Sequence, residues 1–281
     1  MELKDKICMV TGANSGIGKR TAERFADTGA KVVMLCRDKE RGEKARNDLV
    51  QKTQNENIEL LLCDLSSMRS VRRAAKGFKE NYSKLHVLVN NAGLISSSKK
   101  ITEEGNEKTF ATNYLGHFLL TYLLIDPMKE ASSAEIINVT SAAHKSGELD
   151  FDDLQLKRST YFSGWKAYAN SKLAQVMFTY TLSRKLKKTT ISVNSYHPGV
   201  VNSHFGKKTF LTKIFYKLFF FLMRDPDDSA EDIVRLITDP EFEDSTGKYF
   251  SKGKIKKSSK ESYDVEARRK LWKESKKLVG I

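Results

Sequence analysis

Long apolar runs are missing from this chain. The longest strictly apolar stretch, Leu218 to Met223, falls far short of the roughly 20 residues that a membrane-crossing helix needs. The opening MELKDKICMVTG has no apolar segment of signal-peptide length before its first strand-like run. The expected location is therefore cytoplasmic, or peripheral at a membrane surface. Cysteine is scarce as well. Cys8, Cys36 and Cys63 each lie in or at the end of an apolar run and show no metal-ligand spacing, so they are expected to be buried, reduced thiols with no disulfide or metal role. Zinc-finger spacing, an RNP-like aromatic pattern and a helix-turn-helix signature are also lacking, which makes nucleic acid an unexpected partner despite a net charge of +14. No linker, repeat or low-complexity block divides the chain, and 281 residues with 40% hydrophobic content suit one α/β domain with a well-buried core.

What is present is an alternation. Strand-like apolar runs at 7–12, 31–36, 58–63, 85–90, 135–141 and 191–199 are separated by segments of helical period at 16–28, 38–53, 67–81, 105–125 and 165–188. Continuous apolar strands between helices imply a Rossmann-type, doubly wound parallel sheet with helices on both faces, whose ligands bind at the carboxyl ends of the strands. About half of the positive excess lies in residues 252–281, which read as a basic C-terminal tail, either solvated or drawn to an anionic membrane surface.

The first strand runs into TGANSGIG, with glycines at 12, 16 and 18 and a helix beginning at once. The spacing G-x-x-x-G-x-G departs from G-x-G-x-x-G, but the physics is shared: glycine permits the tight turn, and a helix N-terminus offers N–H groups to a pyrophosphate. Gly12, Asn14, Ser15, Gly16, Ile17 and Gly18 are therefore candidates to hold a dinucleotide. At the end of the second strand, where an NAD-preferring fold usually has an acidic residue, this chain has Cys36 and Arg37, with Lys39 and Arg41 close by. A guanidinium there suits a 2′-phosphate, so NADP(H) is the expected cofactor. Asp64, with Leu65 beside it, is placed to meet the adenine, or to cap the helix from about Ser67.

Tyr168 precedes Lys172 by four residues in a helical stretch. About one such pair is expected by chance at this composition, so the pair gains meaning only from its surroundings. On a helix the two lie about 40° apart on one face. An ammonium about 4 Å from the phenolate would lower the tyrosine pKa by roughly three units, towards neutrality, where acid–base catalysis is efficient.

Six motifs, TGANSGIG at 11–18, NNAG at 90–93, NYLGHF at 113–118, NVTS at 138–141, YANSK at 168–172 and HPG at 197–199, stand in an order that resembles the short-chain dehydrogenase/reductase family. CRD at 36–38, LGHFLL and the terminal RRKLW resemble its retinol-dehydrogenase-like branch. The resemblance implies hydride transfer between nicotinamide and an apolar aldehyde, ketone or alcohol. It makes Tyr168 the acid–base residue, has Ser141 hydrogen-bond the substrate oxygen, and has Lys172 also hold the nicotinamide ribose. Asn113 would steady a water relaying protons towards Lys172. Asn91, Ala92 and Gly93 would pack against the cofactor, and Pro198, Gly199 and Val201 would shape the nicotinamide pocket. Read as plain structure, Ser141 is a strand-end cap and Asn113 a helix hydrogen-bonding residue. Two departures stand out: Ser141 and Tyr168 are 27 positions apart, a longer gap than usual that the retinol-dehydrogenase-like branch shares, and Ser203 replaces the familiar threonine after the PG pair. The family commonly forms homodimers through helices equivalent to 105–125 and 165–188, whose apolar faces could equally be interior. Residues 207–224 are expected to form a helical lid over the substrate pocket, with an outer side able to rest on a membrane. The alternatives are a non-catalytic NADP(H) sensor and a membrane-surface adaptor on the same scaffold.

Overall fold

Alternation of side chains across each strand builds two apolar layers on one sheet. In β1 (Ile7–Thr11), Met9 joins one layer while Cys8 and Val10 join the other; in β2 (Lys31–Cys36), Val33 and Leu35 oppose Val32, Met34 and Cys36. The structure is a computed structural model and describes residues 1–159, 161, 163–199 and 224–281. Its eight-stranded sheet has the order β3-β2-β1-β4-β5-β6-β7-β8, with β3 Ile58–Leu62, β4 Val87–Asn90, β5 Ala134–Val139, β6 Ile191–His197, β7 Tyr249–Ser251 and β8 Lys254–Lys256. All neighbouring pairs are parallel except β7–β8, which is antiparallel. The expected α/β doubly wound sheet is therefore present, with one reversed edge strand that the sequence pattern did not indicate. The chain reverses direction across the sheet between β1 and β4, which opens a crevice at their carboxyl ends.

One face carries α1 (Gly16–Asp27) and α2 (Lys39–Thr53). The other carries α3 (Met68–Asn81), a composite helix and α6 (Trp165–Lys185). The composite helix comprises α4 (Lys108–Phe110), a π-helical turn (Ala111–Leu115) and α5 (Gly116–Lys129). It begins at 108, three residues later than the periodicity predicts, because the Glu107 carboxylate accepts the N–H groups of Thr109 and Phe110 and fixes the start there.

Residues 252–281 are folded against the domain and do not trail from it. After β8, helix α8 (Val265–Val279) buries Leu271, Ser275 and Val279, and its Trp272 packs on Phe118 of α5 and Phe178 of α6. Tyr114 and Ser275 hydroxyls meet at 2.7 Å. Between β6 and β7 in sequence, α7 (Pro226–Thr238) covers the opposite face with Ile233, Leu236 and Ile237. Cys8, Cys36 and Cys63 are buried free thiols, and burial pushes all three pKa values up. No helix among the described residues is long and apolar enough to cross a membrane.

Candidate active site

The crevice is built first by glycine. Gly12 has φ +68, and a Cβ there would sit 3.0 Å from Ala92 Cα; a Cβ on Gly18 would sit 2.5 Å from the Gly12 carbonyl oxygen. The turn after β1 therefore closes tightly against the NNAG loop after β4. Thr11 fastens the two together: its hydroxyl accepts the N–H groups of Asn91 and Ala92 at 2.9 Å, and its carbonyl accepts from Asn91 Nδ2 at 2.8 Å. Asn14, Ser15, Gly16 and Ile17 complete the turn. Helix α1 then starts with Gly16 at φ +55, no side-chain cap from Ser15 and no acidic residue in its first turn. A helix N-terminus left in that condition fits a pyrophosphate.

At the end of β2, Arg37, Lys39 and Arg41 are all exposed, and Asp38 caps α2 by accepting from Arg41 N at 3.0 Å. Arg37 has no ion pair among the described residues. Asp64 is not the cap of α3; that is Ser67. Asp64 Oδ1 instead accepts from the backbone N–H and the hydroxyl of Ser66, while Leu65 is buried against Gly116.

Tyr168 and Lys172 lie on one face of α6, with Lys172 Nζ 5.7 Å from the Tyr168 ring centroid. Tyr168 is half-buried; Lys172 is 4% exposed. The ammonium donates to Val139 O at 3.0 Å and to Gln175 Oε1 at 2.8 Å. Burial pulls the Lys172 pKa down to about 7. Near neutrality the lysine is therefore not a fixed cation, as the expectation from sequence assumed. Gln175 carried no sequence signal beyond lying one helical turn past the lysine.

Ser141 follows β5 and caps a 3-10 turn, Ala142–Ser146, by accepting Ala143 N–H at 3.2 Å. The structural role is thus real, yet it uses only the oxygen; the hydroxyl proton has no partner among the described residues. Asn113 lies in the π-helical turn, where Oδ1 accepts from Leu94 N while Nδ2 donates to Leu94 O and to Ser171 Oγ. Its side chain is fully engaged in holding the loop after β4 to α6. Gly93 leaves the space between them open: a Cβ there would be 3.6 Å from Asn113 Oδ1 and 3.7 Å from Lys172 Nζ. The absence of a side chain at Gly93 leaves the lysine uncovered on the side of this loop.

Pro198 and Gly199 follow β6, Gly199 at φ +90; Val201, Ser203 and the expected lid at 207–224 lie outside the described residues, apart from Arg224. Arg224 binds Asp232 and reaches Pro198 O at 3.4 Å. The described part of the long segment between Ser141 and Tyr168 packs on the domain, with Gly147 against Ala169 and Leu173 of α6 and with Leu154 and Leu156 buried. Asp153 gathers the N–H groups of Lys157, Arg158 and Ser159, and the Tyr161 hydroxyl has Glu107 Oε1 at 3.0 Å and Ser96 O at 3.2 Å as acceptors for its one proton.

A family model described as short chain dehydrogenase matches residues 6–152 and 156–213. Human retinol dehydrogenase 13 is 39% identical over 98% of this chain and 85% of its own length, and human polyprenol dehydrogenase is 38% identical over 99% and 86%. Among solved structures, an uncharacterised protein from Mycobacterium paratuberculosis superposes with a TM-score of 0.80 at 30% identity, covering 99% of this chain and 95% of that one. A short chain dehydrogenase from Shigella flexneri complexed with NADP superposes at 0.70 and 22% identity, covering 90% and 99%. Glycine cradle, tyrosine–lysine face and sequence relationship converge: the chain belongs to the short-chain dehydrogenase family of oxidoreductases.

Proposed function

We propose that this chain is an NADP(H)-dependent oxidoreductase that moves hydride between nicotinamide and the carbonyl or alcohol carbon of a lipophilic substrate. The observation that carries the reading is Lys172, buried at the base of the crevice beside a half-buried Tyr168. A non-catalytic sensor on the same scaffold could use the lysine to hold a ribose but would not need the tyrosine beside it.

Bound nicotinamide would supply or accept the hydride. The chain's part is proton transfer and placement. In the reductive direction the Tyr168 hydroxyl gives its proton to the substrate oxygen. Of the three N–H bonds of Lys172, two are held by Val139 O and Gln175 Oε1, which leaves one to stabilise the phenolate and the ribose side of the crevice. Ser141 donates its uncommitted hydroxyl proton to the same substrate oxygen. Asn113 holds Leu94 against α6; both of its amide N–H bonds are taken, so a relay water would meet it as a donor to one of its oxygens.

Arg37 supports the NADP(H) part, as an exposed guanidinium at the end of β2 without an ion pair among the described residues. The lipophilic part is supported by two relatives named for retinol and polyprenol, both long isoprenoid alcohols. An anionic membrane surface, as a place to meet such substrates, belongs to the same reading. The test is cofactor consumption against aldehydes and ketones of increasing chain length. NADPH is expected to be preferred over NADH, and Arg37→Ala should erode that preference roughly 10- to 150-fold, the value of one charged contact. An unchanged cofactor ratio in Arg37→Ala would overturn the NADP(H) assignment.

A further inference from the structure

We propose that His117 is a positioning residue that couples the dinucleotide cradle to Asn113 through a hydrogen-bond chain of fixed direction, running from the NNAG backbone through Thr11 and the imidazole to the Asn113 carbonyl. This builds on the oxidoreductase reading.

The direction follows from what each atom can do. His117 is 1% exposed, with Nδ1 2.8 Å from Asn113 O and Nε2 2.9 Å from Thr11 Oγ1. A carbonyl oxygen only accepts, so Nδ1 carries a proton. Burial drops the imidazole pKa to about 4, so the ring is neutral under ordinary conditions and Nε2 is bare. Nε2 therefore accepts the Thr11 hydroxyl proton. The alternative acceptor for that proton, Val89 O, is more distant at 3.4 Å. Thr11 Oγ1 keeps its lone pairs for the N–H groups of Asn91 and Ala92. The opposite tautomer would set a bare Nδ1 against the Asn113 oxygen, two acceptors facing each other, and leave the buried carbonyl without this donor.

The two ends of the chain explain why it matters. Asn91 and Ala92 pack directly on the Gly12 turn, which on the oxidoreductase reading cradles the dinucleotide. Asn113, at the other end, is tied to Leu94 and to Ser171 on the helix that carries Tyr168 and Lys172. It also lies in a π-helical turn, where the helix ladder changes register. A small shift of the NNAG backbone can thus be passed through one rigid ring to Asn113 and on to α6.

Two measurements on the full chain decide this. Imidazole 15N spectra should show His117 with a protonated Nδ1 and a bare Nε2 at pH 7, and saturating NADPH should shift both resonances. The Nε2–H tautomer, or resonances unmoved by NADPH that demonstrably binds, would overturn the proposal. This readout needs no turnover, so a chain inactive on every carbonyl would sink the enzymatic reading and leave this result standing. In kinetics, His117→Phe should lower kcat about 10- to 100-fold, as expected for slight misplacement of reacting groups, with NADPH affinity nearly unchanged and a changed solvent deuterium isotope effect. His117→Asn, which can still donate to the Asn113 carbonyl, should recover part of kcat. A lowered melting temperature with unchanged kcat and isotope effect in both variants would show that the ring only fills space.

Discussion

Lys172 has a stability consequence that can be separated from its chemistry. Its folded pKa is lowered from 10.5 to about 7 by burial. Between those values the unfolded chain holds a proton that the folded chain has released, so stability rises with pH across that window, and the burial penalty is fully present below about pH 7. Lys172→Met removes this titration. Denaturant midpoints of both proteins at pH 7 and pH 10 should show the wild type gaining on the variant by something on the order of 3 kcal/mol. A constant difference would mean that burial does not govern the lysine. For Tyr168→Phe, turnover should nearly vanish while dinucleotide binding persists, because the hydroxyl is lost and the glycine cradle is untouched; wild-type turnover would refute the acid–base role. At this scale the sequence singles out Tyr168, Lys172 and Ser141 because each sits in a motif. It was silent on Gln175 and on the link between His117 and Thr11, since partners 106 positions apart meet only through strand order.

Helix α8 is where local pattern and tertiary structure diverge most. Strands β1 to β6 and the helices between them were legible because each is an apolar run or a clear helical period. From 226 onward the reading thinned. Strands β7 and β8 have three residues each, too short for a pattern, and the lysines of α8 masked the spacing of Leu271, Trp272, Ser275 and Val279. The folded helix lies on α5 and α6, so its own aromatic covers apolar surface that a subunit contact would otherwise need. Trp272 contacts Phe118 and Phe178, and the Lys185 ammonium lies 4.8 Å from its ring centroid. Trp272→Ala should therefore cost about 2 to 4 kcal/mol of stability and bare an aromatic face. Chemical denaturation measures the first effect. Light scattering should show association of the variant at concentrations where the wild type scatters as a smaller species; an unchanged profile with full stability would remove α8 from any capping role.

For the molecule as a whole, the net charge of +14 is not spread evenly, and the fold decides where it acts. Folding places Lys254 and Lys256 on the edge strand β8, exposed on either side of the exposed Ile255, with Lys252, Lys257 and Lys260 close in sequence and also exposed. Lysines on an edge strand discourage pairing with a second sheet, and that alone could account for two of them. Five within nine residues exceed that need, and Lys252 sits at the active-site end of the sheet, where its side chain approaches Gly199. On our reading this edge is drawn to anionic lipid, which would bring the crevice to the surface where lipophilic substrates dissolve. Each lysine near such a surface contributes about 1 kcal/mol, and the attraction fades within a Debye length of about 10 Å at 0.1 M salt. Sedimentation with phosphatidylserine-containing vesicles should therefore pellet the protein at low salt and release it as salt rises. Substituting Lys254, Lys256, Lys257 and Lys260 by Gln should weaken binding by at least tenfold while leaving turnover of a short, water-soluble aldehyde unchanged. Equal binding by the quadruple variant would place the membrane contact elsewhere on the chain, and an absence of binding by the wild type at low salt would remove the membrane from the function altogether.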